Sequence, residues 1–189
     1  GVDLRVAGIT KPVLVFTPPL GKDDVKRAEF YGLSVTVNSV ECAEICENLN
    51  CHIKVNTGMN RLGCNLSELP AVLKRLNPEK IKGIYSHLYA PENIERSKKQ
   101  LAVFNGAEAL VRAKVPHICA HIAASGGFLR GGEFLKDGAR CGILLYGYAP
   151  AGFSAYGYSG ALKVYARRTQ ETVFMGGGVG YSPATKMYK

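Results

Sequence analysis

The chain has 189 residues, 47% of them hydrophobic and 21% charged, with a formal net charge of +9. That balance provides for a sizeable core and excludes a disordered polymer. No apolar run approaches the roughly 20 residues that span a bilayer, and the first residues lack the basic-then-apolar order of a secretory leader. The basic residues (Lys22, Lys26, Arg27, Lys74, Arg75, Lys98, Lys99, Arg167, Arg168) are scattered, whereas a nucleic-acid face clusters them with aromatics; neither a nucleic acid nor a membrane is expected as a partner.

Residues 12–16 (PVLVF) are expected as a buried strand, 23–31 as a helix and 33–37 (LSVTV) as a strand. A helix over about 40–48 and a strand over 52–55 (HIKV) come next. Leu66, Leu69, Leu73 and Leu76 recur at helical spacing, with Ser67 as the N-cap and Pro70 in the first turn, where proline is tolerated. Residues 81–88 form the next strand, and Ile94, Leu101, Phe104 and Val111 mark one face of a longer helix. Strands over 117–123 and 140–146 bring the number to six. Strands alternating with helices argue for parallel pairing. A doubly wound sheet and a (β/α)8 barrel share that signature, but no Gly-x-Gly-x-x-Gly follows an early strand, which weakens the first. The expected fold is α/β, a partial (β/α)8 TIM-type barrel. After Tyr146 the pattern changes: residues 147–160 are rich in glycine, tyrosine and alanine, β-formers alternate over 162–173, and Gly176, Gly177 and Gly178 read as a turn. The expected division is a barrel domain over 1–147, then a connector and the beginning of a β-rich domain over 148–189.

The six cysteines, at 42, 46, 51, 64, 119 and 141, form no Cys-x-x-Cys pair. Reduced thiols in a cytoplasmic protein are the favoured reading. His117, Cys119 and His121 alternate along a predicted strand. A metal can use that spacing, but residues at period two more often just share one face of a sheet, and no metal is expected.

Barrel enzymes gather their functional residues at the C-terminal ends of the strands. His87 and Ser125 fall there, and Arg61 follows a glycine-containing loop. With Arg140 they would form a cationic pocket with hydroxyl and backbone donors, suited to a phosphorylated cofactor or an anionic substrate. Each residue alone says little, since a single arginine near a strand end is more often an ion-pair partner and a single serine a cap.

The segment His52-Ile53-Lys54-Val55-Asn56-Thr57-Gly58-Met59-Asn60-Arg61-Leu62-Gly63 resembles the long signature of the alanine racemase family, fold-type III pyridoxal-phosphate enzymes. Further blocks resemble that family in its own order: Ile84-Tyr85-Ser86-His87, His121-Ile122-Ala123-Ala124-Ser125, Ala139-Arg140-Cys141-Gly142-Ile143-Leu144-Leu145-Tyr146-Gly147 and Gly178-Val179-Gly180-Tyr181. The resemblance implies that Arg140 faces the pyridine nitrogen of pyridoxal 5′-phosphate, and that Ser125 with the backbone of Gly142 and Ile143 holds the phosphate. It implies Tyr181 as one of two acid/base residues, acting across a homodimer and tuned by His87. Arg61 would contact the carboxylate of alanine and the cofactor's phenolic oxygen, and Lys54 would be carbamylated to orient Arg61. The implied activity is interconversion of L- and D-alanine for peptidoglycan synthesis. The alternatives are a serine/alanine racemase of the same fold and a non-catalytic pyridoxal-phosphate-binding remnant.

The departures are specific. Asn56 stands where the family usually has aspartate, Leu88 where an aromatic is common, and Ala124 where many members have asparagine. The family's cofactor-bonding lysine lies in a Lys-Ala-x-Ala-Tyr-Gly motif that does not occur in these 189 residues. The expectation is therefore an internal fragment that is inactive by itself.

Overall fold

The computed structural model describes residues 1–154 together with Gly157 and Gly160. After a short helix α1 (Val2–Val6), five parallel strands run in strict chain order: β1 (Leu14–Val15), β2 (Ser34–Val37), β3 (Cys51–Lys54), β4 (Ile81–Tyr85) and β5 (Cys119–His121). Helices α2 (Lys22–Phe30), α3 (Val40–Ile45), α4 (Leu69–Arg75) and α5 (Ile94–Arg112) fill the four crossovers. The order β1-β2-β3-β4-β5 never reverses, so there is no switch point of the kind a doubly wound sheet has. Sequential parallel strands of this kind build a barrel wall, and the fold is a partial α/β barrel. A second parallel pair, β6 (Ala123–Ala124) with β7 (Ala139–Arg140), continues beyond β5 and encloses α6 (Ser125–Arg130).

The two faces of this wall differ. Val35, Val37, Ile53, Val55, Ile84, Ala120 and Ile122 are buried in one aliphatic core with Leu69, Val72, Leu73, Leu101, Phe104, Ala107 and Val111 from the covering helices. The alternate strand positions carry Thr36, His52, Lys54, Tyr85 and His121, and these meet one another on the concave side. Period-two alternation thus sends aliphatic residues to the helices and polar ones to the lumen. The starts of α3 and α5 are fixed by side chains: Ser39 Oγ accepts from Cys42 N at 3.1 Å, and Asn93 Oδ1 accepts from Arg96 N at 3.0 Å.

Several expected boundaries are corrected. Ser67 is not the cap of α4. The chain has already turned before it, with Glu68 N and Leu69 N both donating to Asn65 O and Glu68 Oε2 accepting from Asn65 N, so α4 begins at Leu69 with Pro70 in its first turn. The strand expected over 140–146 is confined to Ala139–Arg140; residues Ile143–Tyr146 form a 3-10 turn ended by Gly147 at φ +80°. The strand expected over 117–123 divides into β5 and β6, with Ile122 between them. Helix α3 stops at Ile45, short of 48. Helices α1 and α6 are additions to the expected set. The strand over 162–173, the turn at 176–178 and Tyr181 lie outside the described residues.

Candidate active site

The site is built outward from Arg140. Its strand β7 is drawn against β5 by Asp137, whose N–H donates to Ala120 O at 3.0 Å while its Oδ2 accepts from Ala120 N at 2.8 Å and from Arg112 Nη2 at 2.6 Å. The backbone bond from Ala120 and then Arg112 hold the Asp137 carboxyl below its usual range. Arg140 is thereby placed over the lumen. Nη1 donates to His121 Nδ1 at 2.6 Å and to His121 O at 3.0 Å. Nη2 donates to Ser86 O at 2.6 Å and to Ile122 O at 3.4 Å. All four Nη hydrogens are thus taken, and Nε–H has no hydrogen-bond partner among the described residues. Burial lowers Arg140 to about 10, so it remains a cation at neutral pH.

Arg140 has donors only, and this fixes the direction of every hydrogen bond in the chain that leads away from it. His121 Nδ1 must accept, so its proton sits on Nε2, which donates to His52 Nδ1 at 3.0 Å. Both rings are held neutral. Burial first, then the charge of Arg140, pushes His52 down to about 4 and His121 to about 3. Tyr85 stacks on His121 with ring centroids 5.1 Å apart, and its hydroxyl meets that of Thr36 at 2.8 Å. Burial raises Tyr85, which keeps its phenolic proton.

Lys54 is buried at the end of β3, with Nζ 5.4 Å from the Tyr85 ring centroid. Burial, then Arg61, then Arg140 lower its pKa. Arg61 is carried by the loop over residues 56–63. Asn56 Oδ1 accepts from Gly58 N and Asn60 N, both at 3.1 Å, and Asn56 Nδ2 donates to Asn60 Oδ1 at 3.0 Å. The neutral amide therefore keeps the acceptor contacts that an aspartate would make and adds a donor. Gly63, at φ +128°, closes the loop where a Cβ would stand 2.6 Å from Asn56 N. Arg61 is exposed and makes no hydrogen bond among the described residues, yet its charge reaches Lys54 and His87. His87 comes just after β4; burial, then Arg140, Arg61 and Lys54, press it down to about 4.

Ser125 opens α6 and is buried. Its Oγ accepts from Gly142 N at 3.1 Å and Leu144 N at 3.3 Å, which leaves its hydroxyl proton to donate. The N–H of Ile143, between those two, is unengaged among the described residues. The structure thus brings Lys54, His87, Ser125 and Arg140 to the strand ends, with Arg61 on the loop beside them. No group of three metal-ligating side chains occurs among the described residues. Of the alternating triplet, His117 precedes β5 and is exposed, Cys119 is exposed, and His121 turns to Arg140. Sequence reasoning assigns no roles to His52, His121, Tyr85 or Thr36. Their signal is polar residues at every second position of otherwise aliphatic strands.

A family model described as "Alanine racemase, N-terminal domain" matches residues 1–150. A protein of Prochlorococcus marinus named alanine racemase is 34% identical over 167 residues, covering 79% of this chain and 43% of that one. The alanine racemase of Corynebacterium glutamicum superposes with a TM-score of 0.71 at 24% identity, covering 82% of this chain and 48% of that one, which bears on the fold alone. The alanine racemase of Bartonella henselae, solved with covalently bound pyridoxal phosphate, superposes with a TM-score of 0.63 at 27% identity, covering 80% of this chain and 47% of that one. The chain spans about half the length of the relatives it matches. On the family match over residues 1–150, the chain belongs to the alanine racemase N-terminal domain family.

Proposed function

We propose that these residues form the cofactor-facing side of a pyridoxal 5′-phosphate-dependent alanine racemase, an isomerase that interconverts L- and D-alanine for peptidoglycan synthesis. The observation that carries the reading is Arg140, a partly buried cation with four hydrogens committed to the wall and an Nε–H that no described residue engages. The donor set fits the cofactor. Nε–H would meet the ring nitrogen, and the Ser125 hydroxyl with Ile143 N–H would meet the phosphate, Gly142 holding Ser125 in place. Among the described residues no carboxylate acts on Lys54, His87 or Arg140 to oppose an anion.

Bound there, pyridoxal phosphate supplies an electron sink that acidifies the substrate α-carbon. Arg140 keeps its own proton and so leaves the ring nitrogen unprotonated, which limits the sink and favours proton exchange over transamination. Tyr181, outside the described residues, would remove the α-proton of L-alanine, with neutral His87 tuning it and Arg61 holding the substrate carboxylate. Lys54 is buried among cations, which favours its neutral amine. That amine can attack carbon dioxide and lose a proton to water, giving a carbamate whose charge would orient Arg61. The working unit in this reading is a cytoplasmic homodimer. A serine/alanine racemase of the same fold is the second reading, left open by the departures at Asn56, Leu88 and Ala124.

Two outcomes test this. In the complete reading frame, Tyr181→Phe should slow the L-to-D direction by about 100-fold or more; near-normal turnover in that direction would remove Tyr181 from the acid/base role. In the 189-residue chain, borohydride treatment with the cofactor and then mass spectrometry should label no lysine, because the family's lysine motif does not occur in it. Stoichiometric labelling of Lys54 would contradict the assignment of that residue.

A further inference from the structure

A buried polar chain lies behind the site, between the wall and the covering helix α5. Gln100, on the inward face of α5, is 3% exposed. Its Nε2 donates to Thr57 Oγ1 at 3.0 Å and to His87 O at 2.9 Å, and its Oε1 accepts from Tyr89 N at 3.2 Å. Thr57 and Ser86 hydroxyls meet at 2.8 Å, and Ser86 Oγ donates to Val55 O at 2.7 Å. The proton order is fully determined. Ser86 spends its hydrogen on Val55, so Thr57 must donate to Ser86, and Thr57 must therefore accept from Gln100. Gly58 passes directly over the Gln100 stem, where a Cβ would stand 3.8 Å from Cγ. Ser86 O also receives Arg140 Nη2 at 2.6 Å. One amide thus ties together the loop that carries Arg61, the loop that carries His87, and the strand end that holds Arg140.

We infer that Gln100 is a positioning residue for the candidate site, setting where His87 and the Arg61 loop stand relative to Arg140. A fully satisfied buried network has one low-energy arrangement, and removing its central member leaves Tyr89 N and His87 O without partners. The loop can recover those bonds only by moving toward water. This inference rests on the racemase reading for what the site does, but not for its test, which needs no cofactor.

The test is nuclear magnetic resonance titration of the His87 ring in the 189-residue chain, with thermal unfolding measured alongside. Among the described residues the groups facing His87 are Arg140, Arg61 and Lys54, and burial first, then these cations, hold it at about 4. In Gln100→Met the ring should become wetter and move away from these cations, and its midpoint should rise toward the ordinary value of about 6.5, by roughly one pH unit. Ser97→Ala, which loses a bond to Ala90 O from the same helix face, should leave the midpoint in place. Gln100→Leu loses all three bonds without adding a charge, so it should shift the midpoint in the same direction and carries the test if Gln100→Met does not fold. An unchanged His87 midpoint in a folded Gln100 variant, or an equal shift in Ser97→Ala, would overturn the inference. Because racemisation is assayed separately, a failure here leaves that reading standing, and a failed racemase assay leaves this one standing.

Discussion

Replacing Gly83 with alanine is expected to destabilise the protein by about 3 kcal/mol, at the upper end of what a single added methyl costs in a packed interior. Gly83 sits in β4 beside His52 and Cys119, and a Cβ there would overlap the His52 ring and stand 2.5 Å from Cys119 O. The carbonyl belongs to the β4–β5 ladder and cannot withdraw without loosening it. The ring cannot rotate away without losing His121, and through His121 its link to Arg140. The two effects therefore add. Urea unfolding should show the midpoint falling with the slope unchanged. Stability within about 0.5 kcal/mol of the parent, the range of an ordinary surface substitution, would mean that the His52–His121 contact does not hold the strands as described.

Acid is expected to unfold the protein early, in a window set by histidines. His52 is lowered to about 4 and His121 to about 3 in the folded state, against an ordinary value of about 6.5 in the unfolded chain. Between those values the unfolded state binds protons that the folded state refuses, so stability falls as pH falls below about 6.5 and continues to fall until the folded values are reached. Each such histidine contributes on the order of 1.4 kcal/mol per pH unit in that window, or roughly 2 kcal/mol between neutrality and pH 5. His87 acts in the same direction. The carboxylates held low, Glu108 and Asp137, act only at more acid pH. Urea unfolding at pH 7 and pH 5 should therefore differ by about 4 kcal/mol from His52 and His121 alone, and the difference should shrink in His52→Gln. Equal stability at the two pH values would show that these rings charge freely in the folded protein.

The alternation of strands and helices was legible because the strands read as short runs with β-branched residues at alternate positions, such as SVTV and HIKV. Of the lumen residues, His52, Lys54, Tyr85 and His121 lie within the motif segments and Thr36 does not, and Arg140, Ser125 and Lys54 stand at the strand ends. Boundaries were less legible where local chemistry overrides period. Leu144 and its neighbours look like a strand, but Gly142 and Gly147 bracket them and Leu145 and Tyr146 face outward, so a 3-10 turn forms instead. Ser67 has the residue type of a cap, yet Asn65 and Glu68 had already closed the turn. The polar chain through Gln100 could not be read from sequence, because its bonded pairs lie 13, 29 and 43 residues apart and only folding brings them together. The His52–His121–Arg140 relay is legible only once β3, β4 and β5 are known to be neighbours.

Racemisation by the protein made from the complete reading frame that carries these residues, with pyridoxal 5′-phosphate added and L-alanine or L-serine as substrate, measures the proposed activity itself. D-alanine should accumulate, D-serine should form much more slowly, and Arg140→Met should abolish the cofactor-dependent rate. Absence of D-alanine with the cofactor bound, or faster formation of D-serine, would contradict the claim.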